Sequence, residues 1–431
     1  MKEPQAGLAA RQAALDILGE VLRKRRPLDA ALSHALSAVD LPPRDAGFAR
    51  AIAGETLRRL GQLETLIRGF VPKAPPPHKA GPTLELLMAG ACELLFLNVP
   101  AHAAVDAANR LAVKDPKARH FKPLINAVLR RVAREGAGVI AAQDAARLNT
   151  PDWLWPRWCE TYGEETARAI AAAHLKHAPL DLMMKAAAID IEGAVALPGG
   201  MLRLNDGARV DTLRGFAEGA WWVQDFAATL PVRLLGDVQG ARVIDLCAAP
   251  GGKTAELVAL GAHVTAVERE PERMARLEEN LERLHLDIEC VEADLRDYVP
   301  DAPAPFVLLD APCSATGTIR RHPELPWIKS TADITQCADG AAELLDAAAE
   351  MVAPGGILVF AVCSLEPEEG SEQIDAFLAR NESFARVPVV PGDVFGMGEL
   401  ISAAGDLRTL PCHLSEQGGM DGFYAARLKR V

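Results

Sequence analysis

A chain of 431 residues with 49% hydrophobic and 24% charged side chains is long enough for two or three domains and too apolar to be disordered. The stretch from Met1 to Ala10 lacks the basic-then-apolar pattern of a signal peptide, and no run reaches the apolar length of a membrane span, so a soluble, cytoplasmic protein is expected. The net charge of −12 excludes a uniformly phosphate-binding surface, yet residues 1–135 carry 21 basic against 13 acidic side chains, which makes that end the expected nucleic-acid handle.

Residues from about 6 to 135 read as helix. Leu15, Leu18, Val21 and Leu22 recur at helical spacing, and so do Ile52, Leu57, Leu60, Leu63, Leu66 and Ile67. The proline-containing stretches Leu41 to Asp45 and Val71 to Pro77 punctuate these runs, because proline blocks helix continuation, and a bundle of five to seven helices is predicted. Its last helix carries Arg130 and Arg131, which suit a helix C-terminus and are candidates for phosphate contact. An Ala- and Gly-containing connector runs from Glu135 to Asn149, and Thr150 or Asp152 then caps a new helix. Trp153, Trp155 and Trp158, beside apolar neighbours, belong in a core rather than on a base-stacking platform.

From Trp221 onward the period changes. Short apolar runs (242–246, 263–268, 288–291, 306–310 and 356–362) alternate with helical segments, as in a parallel sheet covered on both faces. The expected organisation is an all-helical domain over 1–136, a small intermediate region over 137–220 and a doubly wound α/β domain over 221–431. In such sheets ligands bind beyond the carboxyl ends of the strands, where three motifs of this chain fall.

The first is Asp245-Leu246-Cys247-Ala248-Ala249-Pro250-Gly251-Gly252-Lys253-Thr254, a strand-to-helix turn whose glycines permit close backbone approach. It has neither dinucleotide nor Walker spacing, but Glu268 at the end of the next strand is placed to accept from a ribose diol. S-adenosyl-L-methionine fits such a site better than a dinucleotide, with Cys247 to Lys253, Glu268, Asp294 and Asp310 as its candidate contacts. Asp294 is read as an acceptor for the adenine amine, and Asp310 as a partner for the cofactor's cation or for a cytosine amino group.

The other two motifs each carry a cysteine: Asp310-Ala311-Pro312-Cys313-Ser314 and Ala361-Val362-Cys363-Ser364. C5 of cytosine is not nucleophilic until a thiolate has added to C6, so a cofactor turn combined with loop cysteines points to methylation of a cytosine ring in RNA. Spacing alone leaves open which cysteine attacks. Lys253 is a candidate positive neighbour for the thiolate. The chain's eight cysteines include no CxxC pair and no zinc-type cluster, so no metal is expected, and Cys92, Cys159, Cys290, Cys337 and Cys412 are read as small buried hydrophobes. Arg320 and Arg321 follow the Cys313 loop and are candidates to hold RNA phosphates near a flipped base.

The segment Asn126 to Arg131, with the helix Ala9 to Leu15, resembles the NusB-like RNA-binding domain. The segments Cys247 to Thr254, Asp310 to Gly317 with Arg320-Arg321-His322-Pro323, and Cys363-Ser364 with Pro367-Glu368-Glu369 resemble the signatures of the Sun-type RNA cytosine-5 methyltransferases. Val223-Gln224-Asp225 and Asp421-Gly422-Phe423-Tyr424 extend that likeness. The combination is similar to the bacterial enzymes that modify small-subunit ribosomal RNA. It implies a Rossmann-like class I methyltransferase domain behind a NusB-like helical bundle, with Cys363 as nucleophile and Cys313 assisting product release. The implied partner is 16S ribosomal RNA or a small-subunit assembly intermediate, bound by a monomer. Val362 stands where the family usually has threonine, and Phe226-Ala227-Ala228-Thr229 lacks a serine frequent in relatives.

Two other readings stay open at this point. The same chemistry on transfer RNA or 23S ribosomal RNA would use the same catalytic residues. A non-catalytic assembly factor would keep the fold but not need both cysteines with Asp310, Glu268 and Lys253.

Overall fold

The computed structural model describes residues 3–73, 76–186, 189–204 and 209–431. Ala74 and Pro75 of the proline-rich loop, and Met1 and Lys2, lie outside the described residues. The chain divides into two compact units: Met1–Lys176 together with Ile319–Ser330, and His177–Thr318 together with Thr331–Val431.

In the first unit, leucines and alanines repeating every third or fourth residue give each helix one apolar stripe to bury. Eight helices follow between Glu3 and Ala141 among the described residues: α1 (Glu3–Lys24), α2 (Leu28–Ser37), α3 (Pro43–Arg58), α4 (Leu60–Phe70), α5 (Pro77–Ala80), α6 (Thr83–Leu95), α7 (Ala101–Lys114) and α8 (Lys122–Ala141). The single-turn α5, which starts at the last residue of the stretch expected to be loop, takes the number past the predicted seven. Ile17, Leu18, Val21, Leu57, Leu63 and Ile67 are fully or almost fully buried, each contributing roughly 1.5–3 kcal/mol of hydrophobic stabilisation. Three further helices, α9 (Ala145–Leu148), α10 (Trp155–Tyr162) and α11 (Glu164–His174), complete the run.

The domain boundaries differ from the sequence expectation in two ways. Residues 137–176 join the helical unit rather than an intermediate region, with Trp158 buried against His174. Residues 319–330, from the middle of the α/β sequence, also belong to the helical unit. That segment contains a single-turn helix (Leu325–Ile328) and is bonded throughout: Trp327 Nε1 donates to Leu57 O at 2.9 Å, Trp153 Nε1 to Pro326 O at 2.9 Å, and the Leu28 amide to the Glu324 carboxylate at 3.1 Å.

The second unit opens with an antiparallel sheet of β1 (Leu180–Met184), β2 (Val195–Leu197), β3 (Met201–Leu204) and β4 (Trp221–Val223), in the order β2-β3-β1-β4. The buried Asp181–Arg203 ion pair, 2.6 Å, lies across β1 and β3. Asp225 then caps α12 (Phe226–Arg233) by accepting from the Ala227 amide at 2.9 Å and also accepts from the Asp421 amide.

Among the described residues, the main sheet has eight strands: β5 (Arg242–Leu246), β6 (His263–Glu268), β7 (Glu289–Glu292), β8 (Ala304–Asp310), β9 (Val352–Val362), β10 (Phe384–Arg386), β11 (Leu407–Arg408) and β12 (Tyr424–Arg430). Their order is β10-β12-β9-β8-β5-β6-β7, with β11 paired to β12. The run from β7 to β9 is parallel, while β12 is antiparallel to β9. This is the doubly wound α/β architecture that the apolar runs predict. Val243, Ile244, Leu308, Val359 and Phe360 are fully buried because both faces are covered. Among the described residues, no helix is long and apolar enough to cross a membrane.

Candidate active site

Strand register brings the motifs together. Asp310 at the end of β8 pairs with Ala361 in β9, so the loops carrying Cys313 and Cys363 leave two adjacent parallel strands at the same level. The thiols meet with Sγ–Sγ 3.5 Å. The Ala311 amide donates to Ala361 O at 2.9 Å and the Gly317 amide to Cys363 O at 3.0 Å, which ties the two loops by their backbones. A Cβ on Gly317 would stand 1.9 Å from Gly422 O, so only glycine permits that close approach.

The thiol of Cys313 is held well above its ordinary pKa, first by its hydrogen bond with Cys363 and then by burial. It therefore stays protonated beside its neighbour. Cys247 is also pushed up, to about 12, by burial and the carboxylates around it, which leaves it an inert lining thiol.

On the other side of β8, Leu246 of β5 pairs with Leu309, and the cofactor-type turn begins one residue later. Cys247 has φ +60° and Gly251 φ +98°, and the latter opens α13 (Gly252–Ala259). Lys253 from that helix donates to Asp310 Oδ2 at 2.7 Å. Burial disfavours the lysine's charge, but the Asp310 carboxylate and the nearby Cys363 outweigh it, so the ammonium is held above its usual pKa. Thr254 donates to Asp245 Oδ2 at 2.6 Å, and burial pushes the Asp245 carboxyl up to about 7.

Glu268, at the end of β6, is 3% exposed and accepts from the Arg269 and Glu270 amides at 3.0 and 3.1 Å. Both of these bonds end on Oε1, while Oε2 faces the Ala249 amide and Arg273 Nη2 at 3.4 Å each and keeps a lone pair for a diol hydroxyl. Glu268, Cys247, Asp294, Leu295 and Pro312 line one cleft. Asp294 is turned onto Arg296 in a bidentate pair at 2.9 and 2.7 Å, and that contact depresses its carboxyl well below the usual range. The set of a glycine turn, a diol-accepting glutamate and an acidic rim fits a ribose-bearing, positively charged cofactor. Among the described residues, no group of three or more His, Cys, Asp or Glu is placed to hold a metal ion.

The family model described as 16S rRNA methyltransferase RsmB/F matches residues 232–429, and the NusB family model matches residues 8–134. The Ribosomal RNA small subunit methyltransferase B of Pseudomonas putida is 36% identical, covering 98% of this chain and 98% of that protein. The chain belongs to the ribosomal RNA small subunit methyltransferase B family. The methyltransferase B of Vibrio cholerae, another relative, is 35% identical over 93% of both chains. Among solved structures, PH0851 matches with a TM-score of 0.77 at 24% identity over 100% of both chains. NSun6 from Pyrococcus horikoshii matches with a TM-score of 0.52 at 18% identity over 65% of this chain and 98% of that one. Both share the fold described above.

Against the methyltransferase B frame, the two motif cysteines, Lys253 and Asp310 converge, and Glu268 and Asp294 share the neighbouring cleft. The arginines are more dispersed. Arg130 and Arg131 are exposed on α8, where Arg131 pairs with Glu135 at 2.8 Å and stacks over Phe70. Arg321 is half-buried. Arg320 departs from its expected role: it is 1% exposed within the helical unit, so its guanidinium offers no surface to a phosphate. Nothing in the local sequence marks it as buried, because the groups that feel its charge, Arg58 of α3 and His174 of α11, lie over 140 residues upstream.

The sequence motifs named Ser314, Ser364 and Glu369 but gave the glutamate no role. In the fold its carboxylate bonds both serines. Val362, the departure from threonine, is fully buried in β9 opposite Tyr424, a core position at which valine packs without leaving a hydroxyl to satisfy.

Proposed function

We propose that the protein transfers a methyl group from S-adenosyl-L-methionine to C5 of a cytosine in 16S ribosomal RNA, through a covalent bond between Cys363 and C6. The observation that carries this reading is the 3.5 Å contact between two loop thiols, one of them held protonated, beside a cofactor-type cleft. When bound, S-adenosyl-L-methionine supplies the methyl group. Residues Cys247 to Lys253, with Glu268, Asp294 and Asp310, would hold it.

The protein's own residues do the rest. The Cys363 thiolate forms the S–C6 bond, and the C5–C6 double-bond electrons move to C5, which becomes nucleophilic. The protonated Lys253, fixed by Asp310, keeps positive charge near the attacking sulfur and the base. Once C5 carries the methyl group, loss of the C5 proton to a base restores the double bond and expels the Cys363 thiolate. Cys313, still a thiol at 3.5 Å, is positioned to serve that release by proton exchange.

Arg130 and Arg131, on the basic N-terminal part, and Arg321 are the proposed phosphate contacts. The reading implies a cytoplasmic protein that meets ribosomal RNA as a monomer. Incubating the protein with labelled S-adenosyl-L-methionine and unmodified 16S ribosomal RNA, then mapping 5-methylcytosine by mass spectrometry, tests it. One modified cytosine is expected. Modification of transfer RNA or 23S ribosomal RNA instead would retain the chemistry and overturn the substrate.

A further inference from the structure

Both catalytic loops continue into a serine, Ser314 after Cys313 and Ser364 after Cys363, and both serines are completely buried. Between them lies Glu369, 1% exposed, from the Pro367–Glu369 turn. Its Oε1 accepts from the Ser314 amide at 2.7 Å, and its Oε2 accepts from Ser314 Oγ at 2.5 Å and from Ser364 Oγ. The hydroxyls are themselves tied in: Thr316 Oγ1 stands 3.3 Å from Ser364 Oγ, and the Leu365 and Glu366 amides donate to Thr316 Oγ1 and Ser364 Oγ at 3.0 Å each.

We propose that Glu369 is a positioning residue for the two-thiol site: its carboxylate clamps the residues following both cysteines and thereby sets the separation of the thiols. The inference rests on the two-thiol reading above. An ionised carboxylate is the one side chain of this length that accepts from three donors and offers none, whereas an amide would turn N–H groups toward one of them. Burial raises the Glu369 carboxyl, so the three bonds are what hold the charge in place. Strand register alone delivers the loops to one level. It does not fix side chains that lie beyond the last strand pair, and thiol chemistry is sensitive to displacements of about 1 Å.

The direct test reads thiol proximity without methyl transfer. Diamide, a diazene dicarboxamide, oxidises a close thiol pair: two S–H bonds break, one S–S bond forms, and two electrons and two protons pass to its N=N bond. In the full-length protein, the rate of Cys313–Cys363 disulfide formation, followed by peptide mass spectrometry, is expected to fall about 10-fold in Glu369→Ala and less in Glu369→Gln. In parallel, kcat is expected to fall about 30-fold in Glu369→Ala, with KM for S-adenosyl-L-methionine within about 2-fold of wild type. Adding Ser364→Ala to Glu369→Ala is expected to cost little more, because both remove one clamp. If Glu369→Ala leaves the disulfide rate unchanged at a temperature where the variant is folded, the proposal is overturned. Should that variant not fold, Glu369→Gln and Ser314→Ala carry the same comparison. Methylation persisting in Cys363→Ala would instead overturn the two-thiol reading, whatever the diamide result.

Discussion

At the scale of single residues, the site raises two of its cysteines for different reasons. Burial pushes Cys247 up to about 12, and Cys313 is raised by its neighbour's sulfur, so both remain thiols in the resting site. Lys253 is the only residue of the cofactor turn that is both charged and bonded to Asp310, at 2.7 Å. Replacing it by methionine keeps most of the packing and removes the charge, leaving Asp310 as an uncompensated anion. Steady-state kinetics of Lys253→Met are expected to give a kcat lowered about 100-fold, and a kcat within about 2-fold of wild type would contradict a role in the chemistry. The motif cysteines, Asp310 and Lys253 were readable from sequence because each is adjacent to a strand end or a glycine turn. Glu369 was not, because its role comes from two serines 55 and 5 residues away.

At the scale of elements, the order of strands and the adjacency of β8 and β9 put the loops in contact, and Gly317 lets them close. Its Cβ as alanine would meet backbone atoms of Gly422 at 1.9 Å, and backbone cannot rotate away as a side chain can. Gly317→Ala is therefore expected to cost about 3 kcal/mol or more of stability, read as a lowered midpoint in denaturant unfolding. An unchanged midpoint would mean that the loop can move aside. The strands from β5 to β9 were legible as continuous apolar runs. The four-stranded sheet β1–β4 was not, because its strands are three to five residues long and two of them, β2 and β4, carry an exposed residue where a core run would be read.

At the scale of the whole molecule, the helical unit draws on residues 319–330 as well as on the N-terminal 176. A cut at residue 136, where the bundle pattern fades, strips Trp327 and the Glu324 carboxylate of their partners Leu57 and Leu28. Expression of 136–431 alone is expected to give protein that is largely insoluble or inactive. A soluble fragment with wild-type activity would show that those contacts are dispensable. Periodicity could not reveal this arrangement, since the segment belongs by sequence to the α/β half and packs by tertiary contact in the other.

Two buried carboxyls also contribute to the pH response of the whole fold. Burial lifts Asp245 to about 7 and Glu256 to about 8, while in the unfolded chain such groups titrate near about 4. The folded chain therefore keeps protons that the unfolded chain has released. The stability this contributes is full below pH about 4 and is lost as pH rises through 7 and 8. Thermal melting is expected to weaken from pH 5.5 to about 8.5. Glu256→Gln, which can still accept from Gln224, is expected to flatten that slope and to gain about 1 kcal/mol at the alkaline end. An unaltered slope in this variant would contradict the assignment.

Attack by Cys363 and release assisted by Cys313 are distinguished by trapping the covalent adduct. Wild type, Cys313→Ala and Cys363→Ala are incubated with 16S ribosomal RNA and S-adenosyl-L-methionine, denatured, and resolved by gel electrophoresis for protein covalently joined to RNA. Adduct is expected to accumulate in Cys313→Ala, with little in wild type and none in Cys363→Ala. Adduct in Cys363→Ala with none in Cys313→Ala would reverse the two roles and contradict it.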